Sequence, residues 1–142
     1  MSNKTNTREK TFLVDDDIVV YTIKNKRGKV LGKFEFSPSD TNIVKRYEEV
    51  VNYFNNFTLP ENSDEAVRVV EKEMIDKISY LINADAGETF FTILGPFSIL
   101  SSGELFVENV LKGIAKVIET ELSVRTKKVQ RRMNKYVRKY HN

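Results

Sequence analysis

A strongly basic segment ends the chain, and it is the part of the sequence best suited to bind a charged partner. Residues 122–142 hold eight cationic side chains and no acidic one. Because the 142-residue chain carries a formal charge of only +3, residues 1–121 carry −5. Such a basic patch can contact nucleic-acid phosphates, an acidic membrane surface or an acidic protein. The cations are Arg125, Lys127, Lys128, Arg131, Arg132, Lys135, Arg138 and Lys139.

The same segment carries apolar and aromatic side chains at helical spacing, which predicts a basic amphipathic helix. They are Val129, Met133, Tyr136, Val137 and Tyr140. Four interpretations stay open: packing on the domain with the cations in water, docking on a protein, binding of nucleic acid, or lying on a membrane. We rank them in that order, and no membrane partner is expected because the segment lacks Trp and Phe.

Residue types that support catalysis are scarce in this chain. It has no Cys and a single His, His141, beside the C-terminus, which excludes a thiolate nucleophile and argues against a Ser-His-Asp triad. The acidic run Asp15–Asp17 indicates a polar turn rather than a metal site, because consecutive extended residues point to alternate sides. No glycine spacing matches a phosphate-binding loop. We therefore predict a non-enzyme without catalytic residues, metal ligands or a cofactor.

The densest apolar stretch is FFTILGPFSIL, residues 90–100. It forms either a buried corner between helices or a contact surface for a partner protein. Sequence alone leaves both open, because burial depends on the tertiary structure. The candidate partner-binding residues are Phe90, Phe91, Phe97, Val129, Met133, Tyr136 and Val137.

The length of the chain indicates one domain, large enough to fold without disulfide or metal staples. Residues 1–10 contain no apolar residue after Met1, which predicts a disordered arm ahead of a single domain over residues 11–142. The N-terminus lacks the apolar core of a signal peptide, and no apolar stretch is long enough to span a membrane. The expected location is the cytoplasm.

Residues 11–36 are predicted to form a β-hairpin. β-branched and aromatic residues dominate Ile18–Lys24, and apolar and polar residues alternate over Lys29–Phe36. Between them, Gly28 stands where a short hairpin loop needs a positive φ. A three-stranded meander is an alternative, because apolar residues also precede the acidic run.

Residues 37–142 form the predicted helical region. Ser37 as N-cap and Pro38 as first helical residue start the first helix, which ends before Pro60. A second helix starts near Asn62 or Ser63 and stops around Ala84–Gly87, and a short helical or irregular segment follows. The predicted fold class is therefore α+β, a hairpin or small antiparallel sheet followed by a mostly helical bundle with a long basic C-terminal helix.

The last helix is predicted to be the longest. Ser101–Glu104 has the pattern of a capping box, and the helix either runs to about Tyr140 or breaks near Ser123. If continuous, it has about 38 residues and spans roughly 57 Å, whereas a 142-residue domain has a radius of gyration of about 14–15 Å. Its end must project, turn back or meet another chain. We therefore expect a homo-oligomer or a partner complex formed through residues 90–100 and one face of residues 103–140.

Parts of the sequence resemble a family of bacteriophage proteins. The segments are FEFSPSDTNIVKRYEEV at residues 34–50, GPFSILSSGELFVENVL at residues 95–111, and the ending with Arg125, Tyr136, Tyr140 and His141. Over about residues 18–141 the chain is similar to small tail-module proteins of tailed phages and prophages of Gram-positive bacteria, regarded as tail assembly chaperones. The resemblance implies a non-enzymatic protein of the host bacterial cytoplasm that binds the tape-measure and tail-tube proteins. Nucleic-acid binding by the basic helix is the alternative function.

Overall fold

The computed structural model describes the backbone of residues 7–58 and 63–140, with all side chains except those of residues 126, 129 and 132–140. Within these ranges, a two-stranded antiparallel sheet precedes the helices, which confirms the predicted α+β fold. The elements are β1 (Val19–Lys24), β2 (Val30–Phe36), α1 (Thr41–Asn55), α2 (Asp64–Ile82), α3 (Ala86–Thr89) and α4 (Phe106–Tyr140).

The hairpin matches the sequence prediction to within one residue at each strand end. Tyr21 pairs with Phe34 across the two strands. In the connecting turn, the Asn25 side chain accepts hydrogen bonds from the backbone N–H groups of Arg27 (2.9 Å) and Lys29 (3.0 Å), and Gly28 has a φ of 85°. Residues 7–18 form no strand, so the sheet has two strands within the described chain and the three-stranded alternative is not observed.

The first helix begins later than predicted. Its N-cap is Asp40, whose side chain accepts a hydrogen bond from the Asn42 N–H, and not Ser37. Ser37 instead opens a turn closed by a 3.3 Å hydrogen bond from the Asp40 N–H to its carbonyl. Pro38 is buried in this turn rather than standing at the first helical position. Ser37 and Asp40 both have side chains typical of an N-cap. The turn between them places Asp40 at the start of the helix.

The second helix begins and ends close to the predicted positions. Ser63 is its N-cap and accepts a hydrogen bond from the Ala66 N–H. The helix ends at Ile82, where Asn83 adopts a left-handed conformation with a φ of 54°, one that Asn tolerates better than most residues. Asp85 then caps the short α3 by accepting from the Glu88 N–H.

The long helix also begins later than predicted, at Phe106 rather than in the Ser101–Glu104 segment. Leu105 is held in a β-bridge with Ile99, and the Glu108 carboxylate accepts a hydrogen bond from its N–H at 3.1 Å. In a capping box, an acidic side chain in the first turn accepts a hydrogen bond from the N–H of the N-cap residue. Glu108 makes this bond here, four residues after the predicted Glu104. The helix then continues without a break near Ser123 to Tyr140.

The core lies where the three longer helices meet the hairpin. Its fully buried members come from α2 (Met74, Ile78, Leu81), α1 (Ile43, Val50) and α4 (Val107). Leu122 is the last α4 residue packed against this core among those described. The 18 helical residues that follow it span about 27 Å. No described helix is both long and apolar enough to cross a membrane.

Candidate functional site

An apolar groove of about 530 Å³ lies between the hairpin and α4, and we call it the hairpin groove. Residues 21–26 of β1 and the following turn line it consecutively. Successive residues of a strand point to opposite faces of the sheet. Because successive residues of β1 all line the groove, we infer that the backbone edge of β1 forms one wall. Among the described residues, β1 pairs with β2 alone, and within that part of the chain its other edge is free to accept another strand.

The inner face of the hairpin supplies an aromatic wall. Tyr21 and Phe34 stack at a centroid distance of 5.4 Å, and Phe34 and Phe36 stack at 5.5 Å. Phe34 also contacts Phe90 from the segment after α3, at 5.1 Å. Aromatic pairs at these separations add packing energy beyond their buried area. This cluster fixes the hairpin on the helical body and holds the groove open.

The opposite wall is one stripe of α4. Its lining residues recur at helical spacing and are apolar except for one asparagine: Phe106, Asn109, Val110, Gly113, Ile114 and Val117. Gly113 leaves a gap in this stripe, because a Cβ placed there would meet nothing within 4 Å. No close backbone approach therefore requires a glycine at this point of the helix.

One polar atom of the groove lining lacks a hydrogen-bond partner among the described residues. The Tyr21 hydroxyl is buried and unpaired, which is costly for a donor removed from water. Burial raises the pKa of Tyr21, and the nearby Glu121 carboxylate raises it further. The hydroxyl is thus held in its neutral form, within reach of the charges of Glu121, Arg125 and Asp17.

A polar contact ties the chain just before β1 to α4. The Asp17 carboxylate accepts a 2.6 Å hydrogen bond from the Ser39 hydroxyl and pairs with the Arg125 guanidinium. Arg125 also donates to Glu121 at 3.3 Å. The polar-turn interpretation holds for Asp15 and Asp16, whose carboxylates accept backbone N–H bonds two residues ahead. The role of Asp17 was missed, because its partner Arg125 lies 108 residues away.

Acidification is expected to release this contact. The hydrogen bond from Ser39 and the bond from Arg125 lower the pKa of Asp17. A carboxylate with a lowered folded-state pKa stabilises the fold above its unfolded-state pKa, about 3.9 for Asp, and loses that contribution as the pH falls through the folded-state value. We expect the Asp17 carboxyl to titrate below this value by NMR, and the Ser39→Ala variant to move it upward. An unchanged titration in Ser39→Ala would contradict the assignment.

The predicted basic patch is divided by the structure. Arg125 is half-buried and paired with Asp17 and Glu121, so it faces the body of the protein. Lys127, Lys128 and Arg131 are exposed on α4 beyond the core. The other predicted cations lie outside the described side chains: Arg132, Lys135, Arg138 and Lys139.

The predicted partner-binding residues of the aromatic stretch are largely packed within the chain. Phe90 is buried and lines the hairpin groove. Phe91 contacts Phe106 at 5.9 Å, and Phe97 contacts Phe57 at 6.1 Å. Ile99, by contrast, is 75% exposed. The candidates Val129, Met133, Tyr136 and Val137 have side chains outside the described ones.

Comparisons with protein-family models, curated proteins and solved structures give no match to this chain. Within the described residues, no group of three or more His, Cys, Asp or Glu side chains is placed to hold a metal ion. The hairpin groove is the site with the best-defined geometry. The one sequence feature that marks this groove is Gly113, inside an otherwise regular helical stripe.

Proposed function

We propose that the protein is a non-enzymatic adaptor that holds an extended apolar segment of a partner protein in the hairpin groove. The observation that carries this proposal is the groove itself, with the free edge of β1 on one side and an apolar stripe of α4 on the other. Its titratable lining groups are few: Tyr21 in the aromatic wall, and Lys24 and Lys26 at the hairpin end. Such a lining favours recognition of apolar side chains over acid–base chemistry.

The edge of β1 and the apolar stripe of α4 suit two different parts of an extended peptide, its backbone and its side chains. The free strand edge offers backbone N–H and C=O groups, which a peptide can pair with as an added strand. Alternate side chains of that peptide then point toward α4, where the apolar stripe covers them. Main-chain pairing supplies affinity for any extended segment, and the aromatic wall selects large apolar side chains.

The resemblance to tail-module proteins supports a particular partner. A tail assembly chaperone covers apolar segments of the tape-measure protein before tail-tube subunits assemble around it. Under this proposal, the hairpin groove receives those segments in the cytoplasm of the bacterial host. Tail-tube subunits are the second partner.

The test is capture of the tape-measure protein encoded in the same gene neighbourhood, co-expressed with the tagged chain. Gly113→Phe places a large side chain in the open gap of the α4 wall, and we expect it to reduce capture about tenfold or more. Lys116→Phe is the matched control, because residue 116 is exposed on the same helix and does not line the groove.

Gly113→Ala separates groove filling from damage to the helix. Glycine in a helix interior costs about 0.5–1 kcal/mol relative to alanine, so this variant is expected to raise the free energy of unfolding by that amount in urea titrations. It adds only a methyl group to the groove and should retain capture. Equal capture by Gly113→Phe and Lys116→Phe, or none by the wild type, would overturn the proposed function.

A second function rests on the exposed cations of α4. Lys127, Lys128 and Arg131 stand on the part of the helix that continues past Leu122. This arrangement suits contact with nucleic-acid phosphates. The affinity of such nucleic-acid binding would fall steeply as the salt concentration rises. The affinity of the groove for an apolar protein segment would depend little on salt.

A further inference from the structure

Three adjacent apolar side chains ahead of β1 have no packing partner in the described chain. Phe12 and Leu13 are each 87% exposed, and Val14 is 74% exposed. They lie in residues 7–18, which form no helix or strand and which we call the N-terminal arm. Single exposed apolar residues are ordinary on protein surfaces, but a contiguous apolar patch marks an interaction site.

The base of the arm is fixed in its own chain. Asp17 is held by Ser39 and by Arg125 of α4, and it has a φ of 58°. With its base held in this way, the arm carries Phe12 and Leu13 into solvent rather than into the hairpin groove of the same chain. The apolar triplet is thus available to another molecule.

We propose that residues Phe12–Val14 of a second copy of this chain occupy the hairpin groove as a strand added to the free edge of β1. The inference rests on the proposed protein-binding role of the groove and gives the groove a second occupant, which binds there when the tape-measure segment is absent. In an extended segment Phe12 and Val14 point to the same side, which places them together against the apolar α4 wall. The gap at Gly113 gives room for one large side chain.

Charge on the two sides is complementary. The acidic residues Asp15 and Asp16 directly follow the apolar triplet and are exposed. Lys24 and Lys26 line the hairpin end of the groove. An arm seated with its acidic end toward the hairpin tip brings opposite charges together, which favours encounter and fixes the direction of the added strand.

The absence of cysteine from the chain allows a direct test by disulfide cross-linking. Full-length Val14→Cys and Gly113→Cys proteins are mixed under mild oxidation, and we expect a covalent heterodimer, because Val14 points toward the α4 wall and Phe12 remains as the anchor. Thr7→Cys with Gly113→Cys is the control and should cross-link far less, since residue 7 lies outside the apolar triplet. A Val14→Cys/Gly113→Cys double variant that closes only within single chains would overturn the proposal in favour of the chain's own arm.

Sedimentation measures the same contact without cross-linking. Phe12→Asp is expected to weaken self-association about tenfold or more, because a charge replaces the aromatic anchor. The matched change Thr7→Asp should leave it unaltered. A wild type that is monomeric at every concentration, or self-association unchanged in Phe12→Asp, would contradict the inference.

The two proposals fail in distinguishable ways. If Gly113→Phe abolishes tape-measure capture but leaves self-association intact, the adaptor function stands and the arm does not bind in the groove. If Val14→Cys and Gly113→Cys cross-link between copies but the wild type captures no tape-measure protein, the arm contact stands and the adaptor function fails. Loss of both in Gly113→Phe, with loss of self-association alone in Phe12→Asp, supports both proposals.

Discussion

Replacing Ile78 by alanine is expected to lower the free energy of unfolding by about 2–5 kcal/mol. Ile78 is 0% exposed in the C-terminal half of α2, in the core shared with α1 and α4. The substitution removes buried methyl groups and leaves a cavity that close-packed neighbours fill only in part. Urea denaturation followed by far-UV circular dichroism measures the change.

Val69→Ala is the control for this prediction. Val69 stands on the same helix but is 53% exposed, so its truncation removes little buried surface. Its effect should stay within about 0.5 kcal/mol, as for most surface substitutions. Similar losses in Ile78→Ala and Val69→Ala would mean that α2 does not pack on the core as described.

The elements that sequence predicts well here are those set by local patterns. Alternating residues and Gly28 define the hairpin, and the spacing of Met74, Ile78 and Leu81 defines the buried stripe of α2. The predicted start of α2 at Asn62 or Ser63 is a short polar segment ahead of an apolar stripe, and Ser63 is the observed N-cap. Each of these features depends on residues only a few positions apart, so the periodicity of the chain is sufficient to find them.

Helix starts were wrong where several capping residues compete. Ser37 and Asp40 both have N-cap side chains, and only the tertiary position of the preceding turn selects Asp40. Glu104 and Glu108 both suit a capping box, yet Glu104 is engaged by Lys112 at 2.8 Å while Glu108 caps the helix. Where two residues are equally suited to cap a helix, long-range contacts determine which of them does so.

The groove and the Asp17 contact were beyond sequence reasoning for a different physical reason. Both bring residues near the N-terminus against α4, about a hundred positions away along the chain. Hydrophobic periodicity identifies an apolar face but not the distance at which two faces are held. Gly113 fits no phosphate-binding loop, and its position in a groove wall is visible only in three dimensions.

Reversing the exposed charges of α4 is expected to separate protein binding from nucleic-acid binding. In the triple variant Lys127→Glu, Lys128→Glu and Arg131→Glu, three exposed cations beyond the core become acidic. We expect tape-measure capture to persist, because apolar burial in the hairpin groove does not involve them. Any low-salt binding of duplex DNA by the wild type should weaken strongly, since three of the eight cations of residues 122–142 become acidic.

The salt dependence gives this comparison its large effect. A protein that contacts six to ten phosphates loses about 10³–10⁵ in affinity between about 50 and 200 mM salt. Removing three contacts should reduce the log–log salt slope by about three. Lys116→Glu reverses one exposed cation of the same helix beside the core. It is the control for position, and it should leave that slope unchanged. Tight DNA or RNA binding that persists near 200 mM salt and is lost only in the triple variant, without tape-measure capture by the wild type, would assign the protein to the nucleic-acid-binding class.

Arg125 is left out of the variant because Asp17 and Glu121 already engage its charge, so its reversal would disturb the base of the N-terminal arm as well as the basic surface.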